Sequence, residues 1–115
     1  MSVVIYHNPR CSKSRQTLAL LQAQGIEPEV VEYLKTPPSA TELQTILSLL
    51  GLSARQLMRR KEALYTELNL ADESLAEAQL VQAMVDHPKL IERPIVLANG
   101  KAALGRPPEN VLTII

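Results

Sequence analysis

The chain has 115 residues, of which 46% are hydrophobic, and this length suffices for one domain with a single hydrophobic core. Lys and Arg together number 12, as do Asp and Glu, so the net charge favours neither a nucleic-acid partner nor a membrane surface. The single cysteine excludes an internal disulfide, and the sequence shows no signal peptide and no apolar run that could span a bilayer. We therefore expect one domain, residues 1–115, in the cytoplasm.

The N-terminal part of the chain predicts a strand, a helix and a second strand. A short apolar run, residues 3–6, is typical of a buried strand, and residues 12–24 have helical spacing. Gly25 follows as a suitable helix end, and the β-branched residues 29–33 predict the second strand. A strand–helix–strand unit of this length implies a right-handed crossover and parallel pairing.

The middle of the chain, about 39–87, is predicted to be a helical insertion. Capping-box patterns begin helices at three serines: Ser39 with Glu42, Ser53 with Gln56, and Ser74 with Glu77. Apolar residues follow the first and third of these at helical spacing, and Pro88 ends the last helix.

The C-terminal part predicts a hairpin and a final helix. Residues 94–98 and 101–104 flank Asn99-Gly100, a strong signal for a type I′ turn, and a last helix follows Pro107-Pro108. The element order is then β-α-β, a helical insertion, and β-β-α. This order predicts an α/β protein with a thioredoxin-like fold and a mixed four-stranded sheet.

Cys11 is the first candidate for chemistry, because it lies where strand turns into helix. Free backbone N–H groups and the helix dipole favour an anion there, and a cysteine in such a place tends to be a reactive thiolate. Lys13 and Arg15 add positive charge, and His7 could add more if protonated. With Ser14 the cysteine forms a C-x-x-S pattern at the position of the redox-active thiol of thioredoxin-like proteins. The alternative is a buried structural cysteine.

Three arginines at the ends of predicted elements are candidates for binding an oxyanion: Arg59, Arg93 and Arg106. A guanidinium presents a fixed fork of donors that suits a tetrahedral oxyanion. The alternative for each is a solvated side chain that caps helix carbonyls. Arg93 is favoured as a binding residue because a thioredoxin-like fold places the loop before its third strand beside the active cysteine. One cysteine and two distant histidines do not make a metal site.

Several segments, in order over essentially the whole chain, resemble the glutaredoxin-coupled arsenate reductases. They are Tyr6-His7-Asn8-Pro9-x-Cys11 with Ser14-Arg15, Tyr33-Leu34 with Pro37-Pro38, the Arg59 segment, His87-Pro88, Arg93-Pro94-Ile95-Val96 and Arg106-Pro107. The Spx-type regulators share this fold.

The resemblance implies that Cys11 is the nucleophile and that Arg59, Arg93 and Arg106 bind the arsenic oxyanion. It also implies that His7 tunes the cysteine, that Ser14 and Arg15 support the thiolate, and that Pro94 follows a cis peptide bond. Arg60 follows Arg59, so which of the two contacts the oxyanion stays open, with Arg59 favoured.

On the strength of this resemblance we expect a cytoplasmic arsenate reductase. The Cys11 thiolate attacks arsenic(V), glutathione attacks the resulting adduct, glutaredoxin removes the glutathione, and arsenite is released. One thiol cannot close a disulfide, so the second thiol must come from outside the chain, and glutathione is the expected co-substrate. No metal or other bound cofactor is expected. Two alternatives stay open: an Spx-like regulator that binds RNA polymerase, and a thiol oxidoreductase that acts on glutathionylated proteins.

Overall fold

The computed structural model describes residues 2–115, which separate into two compact units. One unit combines residues 2–36 with 93–115, and the other comprises residues 37–92. The inserted unit therefore begins and ends a few residues outside the predicted range of 39–87. No helix in the described range is both long and apolar enough to cross a membrane.

The first unit is built on a four-stranded sheet in the order β2-β1-β3-β4. The strands are β1 (Val3–His7), β2 (Glu29–Glu32), β3 (Ile95–Ala98) and β4 (Lys101–Leu104). β1 pairs in parallel with β2 and antiparallel with β3, and β3 pairs antiparallel with β4. The predicted α/β class, mixed sheet and thioredoxin-like order of strands are therefore confirmed.

Helix α1 (Ser12–Ala23) makes the crossover between β1 and β2. Its buried Leu21 joins a core contributed by both central strands and the C-terminal segment. The buried members of that core are Val3, Ile5, Leu21, Val96, Ala98, Val111 and Ile114. The helix ends as predicted at Gly25, whose φ of 77° lies in the left-handed region that glycine tolerates.

The hairpin between β3 and β4 turns at Asn99 and Gly100, which both have positive φ, at 55° and 71°. Two positive φ values in succession are the signature of the type I′ turn that the Asn-Gly pair predicts. After β4 the chain forms a 3-10 helix, Pro108–Thr113, where an α-helix was predicted. This 3-10 helix is six residues long and buries Val111 against the core of the first unit.

The second unit consists of α2 (Ala40–Leu50), α3 (Ala54–Leu57), α4 (Ala63–Glu67), α5 (Glu77–Asp86) and a 3-10 helix, Pro88–Leu90. Helix α5 packs against α2, α3 and the 3-10 helix. The predicted capping boxes at Ser39 with Glu42 and at Ser53 with Gln56 are present. Each stabilises a helix start by satisfying two backbone N–H groups that no helical carbonyl can reach.

The third predicted capping box is wrong. Helix α5 begins at Glu77 after Ala76, and the Gln79 side chain accepts the hydrogen bond from the Ala76 N–H at 2.7 Å. Ser74 instead donates to the side chain of Asp72, which holds the preceding turn. Glu77 accepts from the backbone N–H of Ala54 at 2.8 Å, a contact between helices that the sequence pattern does not reveal.

Candidate active site

Cys11 lies at the junction of β1 and α1, where it is the residue that precedes the first helical turn. Its backbone is extended (φ −93°, ψ 124°), and its side chain is 8% exposed. The loop before it is closed by a hydrogen bond from the Cys11 N–H to the Asn8 carbonyl at 3.0 Å. As a neutral thiol the side chain does not cap α1, so the N–H groups of the first turn remain available to a negatively charged sulfur.

The surroundings of Cys11 lower the pKa of its thiol below the ordinary value of 9.0. Burial acts most strongly and in the opposite sense, because it disfavours the thiolate. The backbone N–H of Ser14, the positive charge of Arg93 and the N–H of Lys13 together outweigh it, and the Arg93 side chain also donates a hydrogen bond. The predicted position at a helix start thus has the predicted electrostatic consequence.

The structure places Arg93 beside this thiol and brings Arg106 into contact with Arg93. Arg93 immediately precedes Pro94, and the Arg93–Pro94 peptide bond is cis, as the sequence predicts. Nη1 of Arg106 donates to the carbonyl oxygen of Arg93 at 3.1 Å. The Arg106–Pro107 bond is also cis, which was not predicted. The first unit therefore holds the thiol, the Arg93 side chain that donates to it, and Arg106, which contacts the backbone of Arg93.

Ser14 and His7 form a buried pair below the loop. Ser14 has no solvent exposure, and its Oγ lies 2.6 Å from Nδ1 of His7. The same oxygen accepts a hydrogen bond from the Asn8 N–H at 3.0 Å. Ser14 therefore links the end of β1 to the loop that carries Cys11, and its own backbone N–H faces the sulfur.

The pKa of His7 is lowered from its ordinary value of 6.5. Burial of the imidazole is the main cause; Glu32 opposes it by attraction, and Arg15 adds to it by repulsion. At neutral pH the ring is therefore uncharged, and positive charge on His7 is not among the causes that lower the pKa of Cys11. The contact that the structure gives His7 is with the hydroxyl of Ser14, the residue whose backbone N–H acts on the thiol.

The side chain of Arg15 hydrogen-bonds to the loop before Cys11 and not to the sulfur. Its Nη1 donates to the carbonyl oxygen of Pro9 at 2.9 Å. On the other side of the same loop, the side-chain oxygen of Asn8 accepts from the Arg10 N–H at 3.0 Å. This is the turn that an Asn side chain forms with the backbone two residues on, and the Asn8-Pro9 pair is the signal from which it could have been predicted.

Arg59 lies in the helical unit, directly after Met58, which forms an isolated bridge with Ile91. Its Nη1 is 3.2 Å from Oε2 of Glu62, in an ion pair whose side chains are 29% and 24% exposed. The Lys89 carbonyl is a longer acceptor for the same nitrogen, at 3.4 Å. Sequence reasoning did not identify Glu62, because Arg59 and Glu62 lie in the non-helical segment between α3 and α4, where sequence spacing does not predict ion pairs.

Two further residues that the sequence did not single out hold the cluster in place. Thr17 on α1 is buried, and its Oγ1 donates to the Lys13 carbonyl at 2.8 Å, with the Gly105 carbonyl at 3.4 Å. The N–H of Gly105 donates to the carbonyl of Pro94 at 3.0 Å. A Cβ on Gly105 would lie 2.7 Å from Cγ of Pro94 and closer still to Thr17. Glycine is thus the only residue that fits between α1 and the two arginine loops.

Among residues 2–115, no group of three or more His, Cys, Asp or Glu side chains is arranged to hold a metal ion. The groups that lower the pKa of the thiol are hydrogen-bond donors: the backbone N–H groups of Ser14 and Lys13 and the guanidinium group of Arg93. Such a site can stabilise a thiolate and bind a small tetrahedral oxyanion next to it.

Comparisons with known proteins agree with this geometry. The model of the ArsC family matches residues 6–114. Escherichia coli K12 has an uncharacterized protein, YfgD, that is 68% identical over 98% of this chain and 96% of its own. A Neisseria meningitidis protein named arsenate reductase is 56% identical over 98% of this chain and 97% of its own.

Among solved structures, that of an arsenate reductase from Vibrio cholerae superposes with a TM-score of 0.98 at 61% identity. It covers 100% of this chain and 98% of that one. A family model that spans nearly the whole sequence, together with relatives that share more than half of its residues, leaves one conclusion. The chain is a member of the ArsC family.

Proposed function

We propose that this protein is an arsenate reductase in which Cys11 is the nucleophile. The observation that carries the proposal is the position of Cys11: the thiol lies at a helix start, beside backbone N–H groups and Arg93, with its pKa lowered. That arrangement supplies a thiolate and an anion site at the same place. The names of the relatives from Neisseria meningitidis and Vibrio cholerae support arsenate as the oxyanion.

In the first step the Cys11 thiolate attacks arsenic(V). A sulfur–arsenic bond forms, one arsenic–oxygen bond breaks, and the departing oxygen takes up protons and leaves as water. Arsenic remains pentavalent in this adduct. Arg93 and Arg106 neutralise the oxyanion, which reduces its repulsion of the incoming thiolate. We assign Arg59 to the same role on the strength of the family resemblance.

In the second step, the thiolate of glutathione attacks the Cys11 sulfur of the adduct. A sulfur–sulfur bond forms, the sulfur–arsenic bond breaks, and the electron pair of that bond stays on arsenic. Arsenic leaves as arsenite and takes up the proton that the glutathione thiol released. Arsenic gains two electrons, and the two sulfurs lose them. In the third step a glutaredoxin thiolate takes the glutathione from the mixed disulfide and restores Cys11.

The external thiol follows from the cysteine count. The chain has one cysteine, and Ser14 occupies the position at which a second would close an internal disulfide. A thioredoxin-type donor would need such an internal disulfide to reduce. A small abundant thiol can instead reach an adduct that is shielded within the loop.

The test is arsenite production by the purified protein with different electron donors. We expect turnover with glutathione plus glutaredoxin, and little or none with thioredoxin and its reductase. Without glutaredoxin, a glutathione adduct on Cys11 should accumulate and be detected by mass spectrometry, and Cys11→Ser should form neither adduct nor arsenite. Full turnover with thioredoxin and no glutathione would contradict the scheme. Reduction of glutathione mixed disulfides without any arsenite would favour the thiol oxidoreductase alternative.

A further inference from the structure

A cavity of about 340 Å³ opens beside the Cys11 loop in the first unit, and none of the oxyanion-binding arginines lines it. One part of its wall is the loop of Asn8, Pro9 and Arg10 with His7, and another is the end of β2 and the residues after it: Glu32, Leu34 and Lys35. This volume lies within the range of small-ligand sites, about 300–1,000 Å³.

The position of the cavity follows from the sheet. β1 and β2 are parallel, and their last residues, His7 and Glu32, are partners in the register. The carboxyl ends of both strands therefore meet at one edge of the sheet. In open α/β sheets, ligands bind in the crevice outside the carboxyl ends of parallel strands.

The walls of the cavity carry two cations and one carboxylate. Arg10 and Lys35 are exposed, and the Lys35 ammonium lies 3.6 Å from the carboxylate of Glu32. The two side chains of this ion pair are 77% and 42% exposed, so it contributes little to stability, and both groups remain available to a ligand. Leu34, at 41% exposure, adds apolar surface between them.

Glutathione carries the complementary set of charges at neutral pH: two carboxylates and one ammonium. Each of its charges therefore has a partner of opposite sign in the cavity. The arginine cluster would serve the same ligand less well, because carboxylates bound to Arg93 or Arg106 would compete there with the oxyanion. A separate site lets both substrates bind at once.

The cavity is also close enough to the nucleophile. Arg10 is adjacent in sequence to Cys11, and the hydrogen bond from the Cys11 N–H to the Asn8 carbonyl keeps this loop compact. Successive Cα atoms are about 3.8 Å apart. A tripeptide held by its two ends can thus direct the thiol of its central residue toward the Cys11 adduct.

We propose that this cavity is the binding site for glutathione, with Arg10 and Lys35 on its carboxylates and Glu32 on its ammonium. The inference rests on the proposed function, since it assigns a place to the co-substrate of the second step. The site would also make the protein selective for its thiol co-substrate. A thiol without this pattern of charges, such as mercaptoethanol, should support turnover only at a much higher concentration.

The direct test is binding of S-methylglutathione, which has the charges of glutathione but cannot react. In NMR titrations of the isotope-labelled protein, we expect the amide signals of Arg10, Leu34 and Lys35 to shift. Lys35→Glu should raise the Kd about tenfold or more, because attraction becomes repulsion. Lys101→Glu is the matched control: it makes the same charge change on β4, at the opposite edge of the sheet, and should alter the Kd less than about twofold.

A second measurement addresses the role of Glu32. Glu32→Gln should weaken binding of S-methylglutathione but not of its N-acetyl derivative, which lacks the ammonium. In steady-state assays, Lys35→Glu should raise the KM for glutathione and leave the KM for arsenate unchanged.

Several results would overturn the proposal. One is amide shifts confined to the surroundings of Arg93 and Arg106. Another is an equal change in Kd for Lys35→Glu and Lys101→Glu. A third is no detectable binding of S-methylglutathione at concentrations well above the KM for glutathione. A change in the KM for glutaredoxin alone would mean that the cavity serves the protein donor, and would equally overturn it. Because S-methylglutathione binding requires no arsenate, a failure of arsenate reduction with this binding intact would contradict the proposed function and not the site.

Discussion

Oγ of Ser14 lies 2.6 Å from Nδ1 of His7, and both side chains are buried. The same Oγ also accepts from the Asn8 N–H, so one hydroxyl contacts both the imidazole and the loop. The serine that stands where many thioredoxin-like proteins have a second cysteine thus connects the histidine to the nucleophile's loop. We therefore expect His7 to influence Cys11 indirectly, by holding Ser14, whose backbone N–H lowers the pKa of the thiol.

The first prediction follows from that hydrogen bond. Ser14→Ala leaves the buried Nδ1 of His7 and the Asn8 N–H without their partner, which should cost about 1–3 kcal/mol of the free energy of unfolding. The loop should also lose order, so the pKa of Cys11 should rise toward its ordinary value. Urea unfolding and titration of thiolate absorbance measure the two effects. Ser12→Ala, an exposed serine in the same turn, is the control and should change neither.

The second prediction concerns pH. The folded-state pKa of Cys11 is below 9.0, so between these two values the unfolded chain binds more protons than the folded one, and stability rises with pH. This contribution is fully present above about 9.0 and is lost as the pH falls through the folded pKa. Cys11→Ser should remove that slope, and arsenate reduction by the native protein should increase with pH over the same range. A stability slope that is the same in both proteins would mean that the thiol is not perturbed.

His7 makes stability depend on pH in a separate, more acidic range, because its pKa in the folded protein is lowered from 6.5. Stability should fall as the pH drops below 6.5 toward the folded pKa, since the unfolded chain takes up the proton first. His7→Asn should remove this acid-side dependence, which urea unfolding at a series of pH values measures.

The third prediction separates the two arginines of the first unit. Arg93→Ala should lower kcat/KM for arsenate about 10- to 150-fold, because a charge-assisted contact to the oxyanion contributes about 1.5–3 kcal/mol. It should also raise the pKa of Cys11, which Arg93 lowers. Arg106→Ala should lower kcat/KM without moving that pKa, because Arg106 is not among its causes. Lysine at either position should rescue only partly, since it lacks the planar fork.

The fourth prediction compares Arg59 with Arg60. Arg59 is partly buried and held by Glu62, whereas Arg60 is exposed. We expect Arg59→Ala to lower kcat/KM for arsenate and Arg60→Ala to leave it near the native value. Glu62→Gln removes the carboxylate that competes with the oxyanion for Arg59, so the KM for arsenate should fall by up to about fivefold. An increase in KM would show that Glu62 positions the arginine instead.

The fifth prediction concerns Gly105. Gly105→Ala places a methyl group against Thr17 and Pro94, and overpacking of this kind should cost about 1–3 kcal/mol of the free energy of unfolding. Because Gly105 precedes Arg106 and bonds to Pro94, kcat/KM for arsenate should fall as well. Gly25→Ala is the control. The added Cβ would meet no other part of the protein within 4 Å, so this variant should lose stability only because alanine disfavours a positive φ, and kcat/KM should not change.

Much of the fold could be predicted because its signals are local. Each of these signals depends only on residues that are close together in the sequence. Examples are the apolar run of β1, the Asn99-Gly100 turn and the capping boxes at Ser39 and Ser53. The exceptions are also physical. The start of α5 was misplaced because Ser74 hydrogen-bonds to the carboxylate of Asp72 and not to a helix N–H. The C-terminal segment forms a 3-10 helix that buries Val111, where an α-helix was predicted.

The sequence by itself identified the candidate nucleophile and its neighbours, because the position of Cys11 at a strand–helix junction, with Ser14 three residues on, is a property of adjacent residues. Only the tertiary structure decided which distant groups reach it. Arg93 is 82 residues from Cys11 in the chain and becomes a cause of its lowered pKa because β3 pairs with β1. Gly105 and Thr17, 88 residues apart, meet because β4 returns the chain to α1. The burial that keeps His7 neutral has the same origin, since the solvent exposure of a side chain is set by the elements packed around it and not by its place in the sequence.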